Sequence, residues 1–160
     1  MMDLPKAFDS QLHEARKKTE RLINVRDRSS AELMSRLLHA GFSGDVALQE
    51  VQDALITGLI DDERFMRLYV ESKKRSGWGQ HRIEAELRRF GINIRLCEGY
   101  PESFFCENDE ADRALGCLRR FNTKSKNWQA ACFRRLISKG YSVETAKKVV
   151  KTCAAHDVEK

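Results

Sequence analysis

The chain has 160 residues, 41% of them apolar and 33% charged, with two prolines, nine glycines and a net charge of +5. That length makes one domain or a few small units packed end to end, with enough apolar side chains for a core and few helix breakers. The opening MMDLPKAFDS has no apolar core of a signal peptide, and the longest apolar run is four residues (Ala130 to Phe133), so neither secretion nor a membrane span is expected.

Pro5 suits a first helical turn, and Phe8, Leu12, Ala15, Leu22 and Ile23 recur with helical spacing, which predicts a helix over about 6–26. Ser29 and Glu32 form a capping box for a helix carrying Leu33, Met34, Leu37 and Leu38, ended by Gly41. Ser43 caps a third helix with Val46, Ala47, Val51, Ala54 and Leu55, ended by Gly58. GLIDDERF then opens a new unit with Asp61 as N-cap, and Phe65, Leu68 and Tyr69 mark the apolar stripe to about Arg75. SGWGQ breaks the chain. A helix with Ile83, Leu87 and Phe90 follows to Gly91, and Asn93 caps a weak third helix cut short by Gly99 and Pro101. The acidic stretch 98–110 reads as a linker pinned by Phe104 and Phe105. Beyond it, Ala111, Leu115, Leu118 and Phe121 share one helical face. NTKSKN makes a loop, Asn127 caps a helix with Trp128, Cys132, Phe133, Leu136 and Ile137, and Ser142 caps a last one after Gly140.

One local pattern occurs three times. Gly41, Gly91 and Gly140 each have Leu four residues before (Leu37, Leu87, Leu136) and an apolar residue eight before (Leu33, Ile83, Cys132). Each is followed by an apolar residue (Phe42, Ile92, Tyr141) and then a capping residue (Ser43, Asn93, Ser142). The pattern is a helix, a left-handed glycine and a new N-cap. The expected fold is all-α: nine helices in three tandem three-helix repeats. The boundaries are 1–58 for the first repeat with its N-terminal helix, 59–98 for the second, 99–108 for a linker and 109–155 for the third. Repeat arrays offer long surfaces to partners and are binders more often than catalysts.

Charge is uneven along the chain. Residues 1–60 hold 8 Lys+Arg against 9 Asp+Glu, residues 61–110 hold 9 against 11, and residues 111–160 hold 12 against 4. Within the middle, residues 73–95 hold 7 basic and 2 acidic residues. A negatively charged partner, nucleic acid or acidic protein, fits the later units. Five cysteines without a CxxC pair, three of them (Cys117, Cys132, Cys153) at apolar helix positions, read as buried free thiols in a cytoplasmic protein. GWG at 77–79 lacks a third glycine and follows a helix, which argues against a dinucleotide loop. Asp61, Asp62 and Glu63 are accounted for by helix capping and the helix dipole, and the four histidines lack metal-ligand spacing. No catalytic residue, cofactor site or metal site is expected, and the chain is not read as an enzyme.

The candidate partner-binding residues are Lys73, Lys74, Arg75, Trp78, Arg82, Arg88, Arg89, Arg119, Arg120, Lys124, Lys126, Arg134 and Arg135. Trp78 lies between two basic clusters, either as the anchor of a tight interhelix turn or as an aromatic presented to a base or a partner pocket. Paired arginines beside an apolar stripe are ordinarily a solvated face. Their concentration in the later units favours a surface that meets a partner, with guanidinium groups pointing outward.

RDRSSAELMSRLLHAGFS, GLIDDERFMRLYVESKKRSGWGQHRIEAELRRFGI and FRRLISKGYSVETAKKVV resemble, in order, the three units of the RecX family, regulators of the bacterial recombinase RecA. The resemblance covers about residues 10–152, and its middle block is the most specific. It implies an elongated, curved array of the three repeats, acting as a monomer in the groove of the RecA filament on single-stranded DNA. There it limits filament growth, ATP hydrolysis and strand exchange, and so takes part in regulating recombination, DNA repair and the SOS response. The sequence departs from the family where EGYPESFF replaces a clean third helix, which leaves the stiffness between repeats two and three open. The other functional reading is a helical-repeat protein whose main target is DNA itself; a general adaptor or an enzyme stands behind both.

Overall fold

Helix starts and stops fall largely where capping chemistry puts them. The computed structural model describes residues 4–121 and 127–157. These form α1 (Leu4–Val25), α2 (Ser30–His39), α3 (Gly44–Ile56), α4 (Asp62–Arg75), α5 (Gln80–Arg89), a 3₁₀ turn (Ile94–Leu96), α6 (Glu107–Arg119), α7 (Trp128–Lys139) and α8 (Val143–Asp157). No strand occurs among the described residues. The protein is all-α. Ser29, Ser43, Asn127 and Ser142 each accept a backbone N–H of the following first turn, at 3.2, 3.4, 3.3 and 2.9 Å. Gly41, Gly91 and Gly140 all have positive φ, as the repeat pattern requires.

The described residues divide into two compact units. One takes the chain up to Arg67 together with Phe90–Ile92; the other takes Leu68–Arg89 and Asn93 onward. In the first, Ala15, Leu33, Leu37, Val46, Ala47, Val51, Ala54 and Ile60 form the core. Asp62 accepts both the amide and the hydroxyl of Ser30, and the Ser29 hydroxyl donates to the Phe90 carbonyl at 2.7 Å. Phe65 packs edge-on against Phe90 at 5.4 Å between ring centroids. In the second unit, Ala114, Cys117, Leu118, Cys132, Leu136, Tyr141, Ala146 and Val149 form the core.

Four details differ from the sequence expectation. The third helix of the second repeat shrinks to the 3₁₀ turn 94–96, so the described residues hold eight α-helices; only Ile94 of the turn is buried, and the extended backbone of Cys97 ends it before Gly99. The apolar stripe of α4 is rotated: Phe65, Met66 and Val70 are buried while Leu68 is 56% exposed. The capping box at Ser29 is half-formed: the Ser29 hydroxyl accepts the Glu32 amide, while Glu32 Oε1 is held by Arg26 and Arg28 and its Oε2 has no hydrogen-bond partner. Cys117 and Cys132 are buried thiols outside any disulfide, but Cys153, in the last turns of α8, is only half-buried.

Candidate partner interface

The second unit is organised by a turn and a clamp. The turn is Gly77-Trp78-Gly79 between α4 and α5. The Gly79 amide donates to the Lys139 carbonyl at 2.8 Å, the His81 amide to the Gly140 carbonyl at 3.0 Å, and the Tyr141 hydroxyl to the Gly77 carbonyl at 3.1 Å. A Cβ at Gly79 would lie 2.4 Å from the Gly140 carbonyl and the Tyr141 amide nitrogen, and one at Gly140 would lie 2.3 Å from the Cβ of Arg82. Backbones this close admit no side chain on either residue. Two glycines thus join α5 to the α7–α8 corner. Burial pushes the Tyr141 hydroxyl up to about 12, so it stays protonated and a donor at all ordinary pH.

The clamp is Glu84, 2% exposed. The Tyr100 hydroxyl donates to Glu84 Oε1, Gln80 Nε2 donates to the same oxygen at 2.8 Å, and Arg95 reaches Oε2 through Nε at 2.9 Å and Nη2 at 2.7 Å. The Gln80 amide also donates to Glu110 at 3.0 Å. The acidic segment before α6 is therefore folded against α5, with Phe104 and Phe105 buried beneath it.

The candidate residues separate on this frame. Lys73 is half-buried, its Nζ 5.0 Å from the Tyr69 ring centroid and 4.8 Å from that of Trp78. The Arg82 guanidinium lies 3.9 Å from the Trp78 centroid and reaches towards the Ser138 carbonyl at 3.5 Å. Trp78 is half-buried with two cations over its ring, the arrangement of a turn anchor, and Arg82 lies over it while remaining exposed. Lys74 pairs with Glu71 at 3.1 Å and lies 5.8 Å from the Phe105 ring centroid. Arg89 pairs with Glu86 at 3.0 Å, Arg120 Nε donates to the Gly116 carbonyl at 3.3 Å, and Arg135 lies over the Phe121 ring at 5.4 Å. Arg75, Arg88, Arg119 and Arg134 are exposed. Lys124 and Lys126 lie outside the described residues.

Two cavities of the second unit collect these cations. A polar one of about 340 Å³ is lined by Glu71, Lys74, Arg75, Gly77, Asp109, Arg113, Gly116 and Arg120. Glu71 holds Lys74 and Asp109 holds Arg113, which leaves the lining residues Arg75 and Arg120 as its cations beyond those two pairs. Arg113 escaped the sequence reading, although its i, i+4 spacing from Asp109 is a legible helix pair. The second cavity, about 460 Å³, lies between α7 and α8 and includes Arg134. No group of three or more potential metal ligands occurs among the described residues, and no described helix is long and apolar enough to cross a membrane.

The α4–α5 block that carries the turn also carries the likeness to known proteins. A family model described as "RecX, second three-helix domain" matches residues 61–96. Regulatory protein RecX of Mycobacterium sp. strain KMS is 31% identical over 139 residues, covering 81% of this chain and 76% of that protein. The chain belongs to the RecX family. Regulatory protein RecX of Mycolicibacterium vanbaalenii is 34% identical over 80 residues, 49% of this chain and 44% of that protein. The crystal structure of RecX from Lactobacillus salivarius superposes with a TM-score of 0.76 over 90% of this chain and 97% of that one; at 15% identity this is a likeness of fold. This chain is thus a member of a family of regulatory proteins, built from three-helix repeats.

Proposed function

We propose that this RecX-family chain is a non-enzymatic regulator that binds the RecA filament on single-stranded DNA and lowers its ATP hydrolysis and recombinase activity. It would act as a monomer in the cytoplasm. Family membership carries the reading, and the chemistry of the second unit supports it. Arg88 and Arg119 present guanidinium groups to solvent, which suits carboxylates or phosphates of a partner. Helices ordered in repeats can touch several subunits of a polymer, so that modest contacts sum to avidity. The division into repeats at 1–58, 59–98 and 109–155 belongs to the same proposal.

The test is single-stranded-DNA-dependent ATP hydrolysis by RecA of the same organism. The chain at substoichiometric ratio is expected to lower it; unchanged hydrolysis at equimolar chain, with RecA verified active, overturns the proposal. Arg88→Glu with Arg89→Glu is expected to weaken filament binding at low salt. Stability should change by less than about 1 kcal/mol, since exposed pairs contribute little. Tight binding of naked single-stranded DNA that falls steeply with salt, in the absence of RecA, would instead identify DNA as the main target.

A further inference from the structure

The 460 Å³ groove between α7 and α8 has a composition unlike the rest of the basic surface. Its lining is Gln129, Ala130, Phe133 and Arg134 from α7 with Lys147, Val150, Lys151 and Ala154 from α8. On α8 these stand at i, i+3, i+4 and i+7, one stripe of a helix, so cations and small apolar side chains alternate along the same wall. Phe133 and Val150 pack against the core below and are half-buried, which fixes the floor; Arg134, Lys147 and Lys151 are exposed. Among the described residues three cations line the groove and no carboxylate does. That differs from the polar cavity, where carboxylates already hold Lys74 and Arg113.

We infer that this groove docks a short acidic segment of a protein partner, seating one apolar side chain on Ala130, Phe133, Val150 and Ala154 while its carboxylates meet Arg134, Lys147 and Lys151. The volume falls in the range of sites that enclose a few side chains. Laying an apolar stripe into a groove between helices, with complementary charge at the rim, is a standard mode of peptide capture. A nucleic-acid strand fits less well: stacking a base needs an open aromatic face, and the floor offers aliphatic groups and one half-buried Phe133. The inference does not depend on the partner being RecA.

The test uses the full chain labelled with ¹⁵N and a short synthetic peptide of aspartate and glutamate around a central Leu-Phe pair. Amide shifts are expected to be confined to 129–134 and 147–154. Replacing Leu-Phe by Ser-Asn, or making Lys147→Glu with Lys151→Glu, should weaken binding by about tenfold or more. These lysines are exposed, so helicity and melting should be unchanged; Arg134→Glu on the opposite helix gives an independent loss of similar size if the double variant folds poorly. The inference is overturned if the peptide shifts no groove amide at millimolar concentration, or if the Ser-Asn peptide binds equally well. It also fails if oligothymidine shifts the same amides more strongly. Because RecA is absent, failure here is separate from failure of the ATPase test.

Discussion

Glu50 of the first unit and Glu84 of the second are almost completely buried, at 1% and 2% exposure, yet their surroundings treat the charge in opposite ways. For Glu84, burial pushes the carboxyl up, but hydrogen bonds from Tyr100, Gln80 and Arg95 outweigh it and hold the group below the usual carboxylate range. For Glu50, burial wins. Thr19 and Arg16 pull down, Asp53 and Glu20 push up, and the net effect is a raised carboxyl. The geometry says why. Arg16 Nε stays 3.6 Å from Glu50 Oε2, which has no hydrogen-bond partner, and Arg16 spends Nη2 on Asp53 at 3.0 Å. A buried charge is cheap only when its lone pairs are filled. In the second unit they are filled by residues from α5, the 3₁₀ turn and the following loop, and that is how the carboxylate orders a segment of chain that has no helix of its own.

The sharpest way to test the tightness of the second unit is at its backbone contact. Gly79→Ala puts a methyl 2.4 Å from backbone atoms that cannot rotate away. We expect it to lower stability by roughly 2–3 kcal/mol by overpacking. Gly44→Ala in the first unit meets nothing within 4 Å and begins α3, so it should be neutral or stabilising by up to about 1 kcal/mol. Urea unfolding of the two variants decides it; equal midpoints would mean that the α5 corner yields easily. Next in size is Glu84→Gln. It keeps the volume but removes the charge that Arg95 and Tyr100 address, and should lower stability by about 1–2 kcal/mol at neutral pH, discounted because Arg95 is half exposed.

How far the sequence reached follows from the range of each signal. Local signals were legible. Asp61 accepts the Arg64 amide at 2.9 Å as an N-cap should, and Ser43, Asn127 and Ser142 cap as their positions suggest. The three glycines take positive φ because each must end a helix and turn at once. What escaped was long-range. The contact of Gly79 with Gly140 spans 61 positions and leaves no periodic trace, so the GWG turn looked like a weak motif and not a docking point. The partners of Glu84 come from 80, 95 and 100, and no single helix face contains them all. The arginines beside the apolar stripes are exposed as their positions suggest, but the ring contacts that Arg82 makes with Trp78 and Arg135 with Phe121 left no trace in the spacing, since a planar cation packs on aromatics as readily as it meets water.

The smallest effect tests the comparison most directly. Glu50→Gln should change stability by less than about 1 kcal/mol, in the stabilising direction at neutral pH. The sign follows from linkage. A carboxyl raised in the folded state contributes stability that is full below its unfolded value, near about 4.3, and is lost as pH rises through the raised folded value. Glutamine resembles the neutral form, so its advantage over glutamate should be absent in acid and grow towards neutrality. Glu84 runs the other way. Its carboxyl is depressed, so its contribution is full above the unfolded value and is lost as pH falls through the folded one; the deficit of Glu84→Gln should therefore be largest at neutral pH and shrink in acid. Urea midpoints of the two variants against wild type, taken from about pH 3 to 7, should give two difference curves of opposite sign that converge in acid. If both curves slope the same way, Arg16 satisfies Glu50 better than its 3.6 Å separation suggests, and the contrast between the two units is lost.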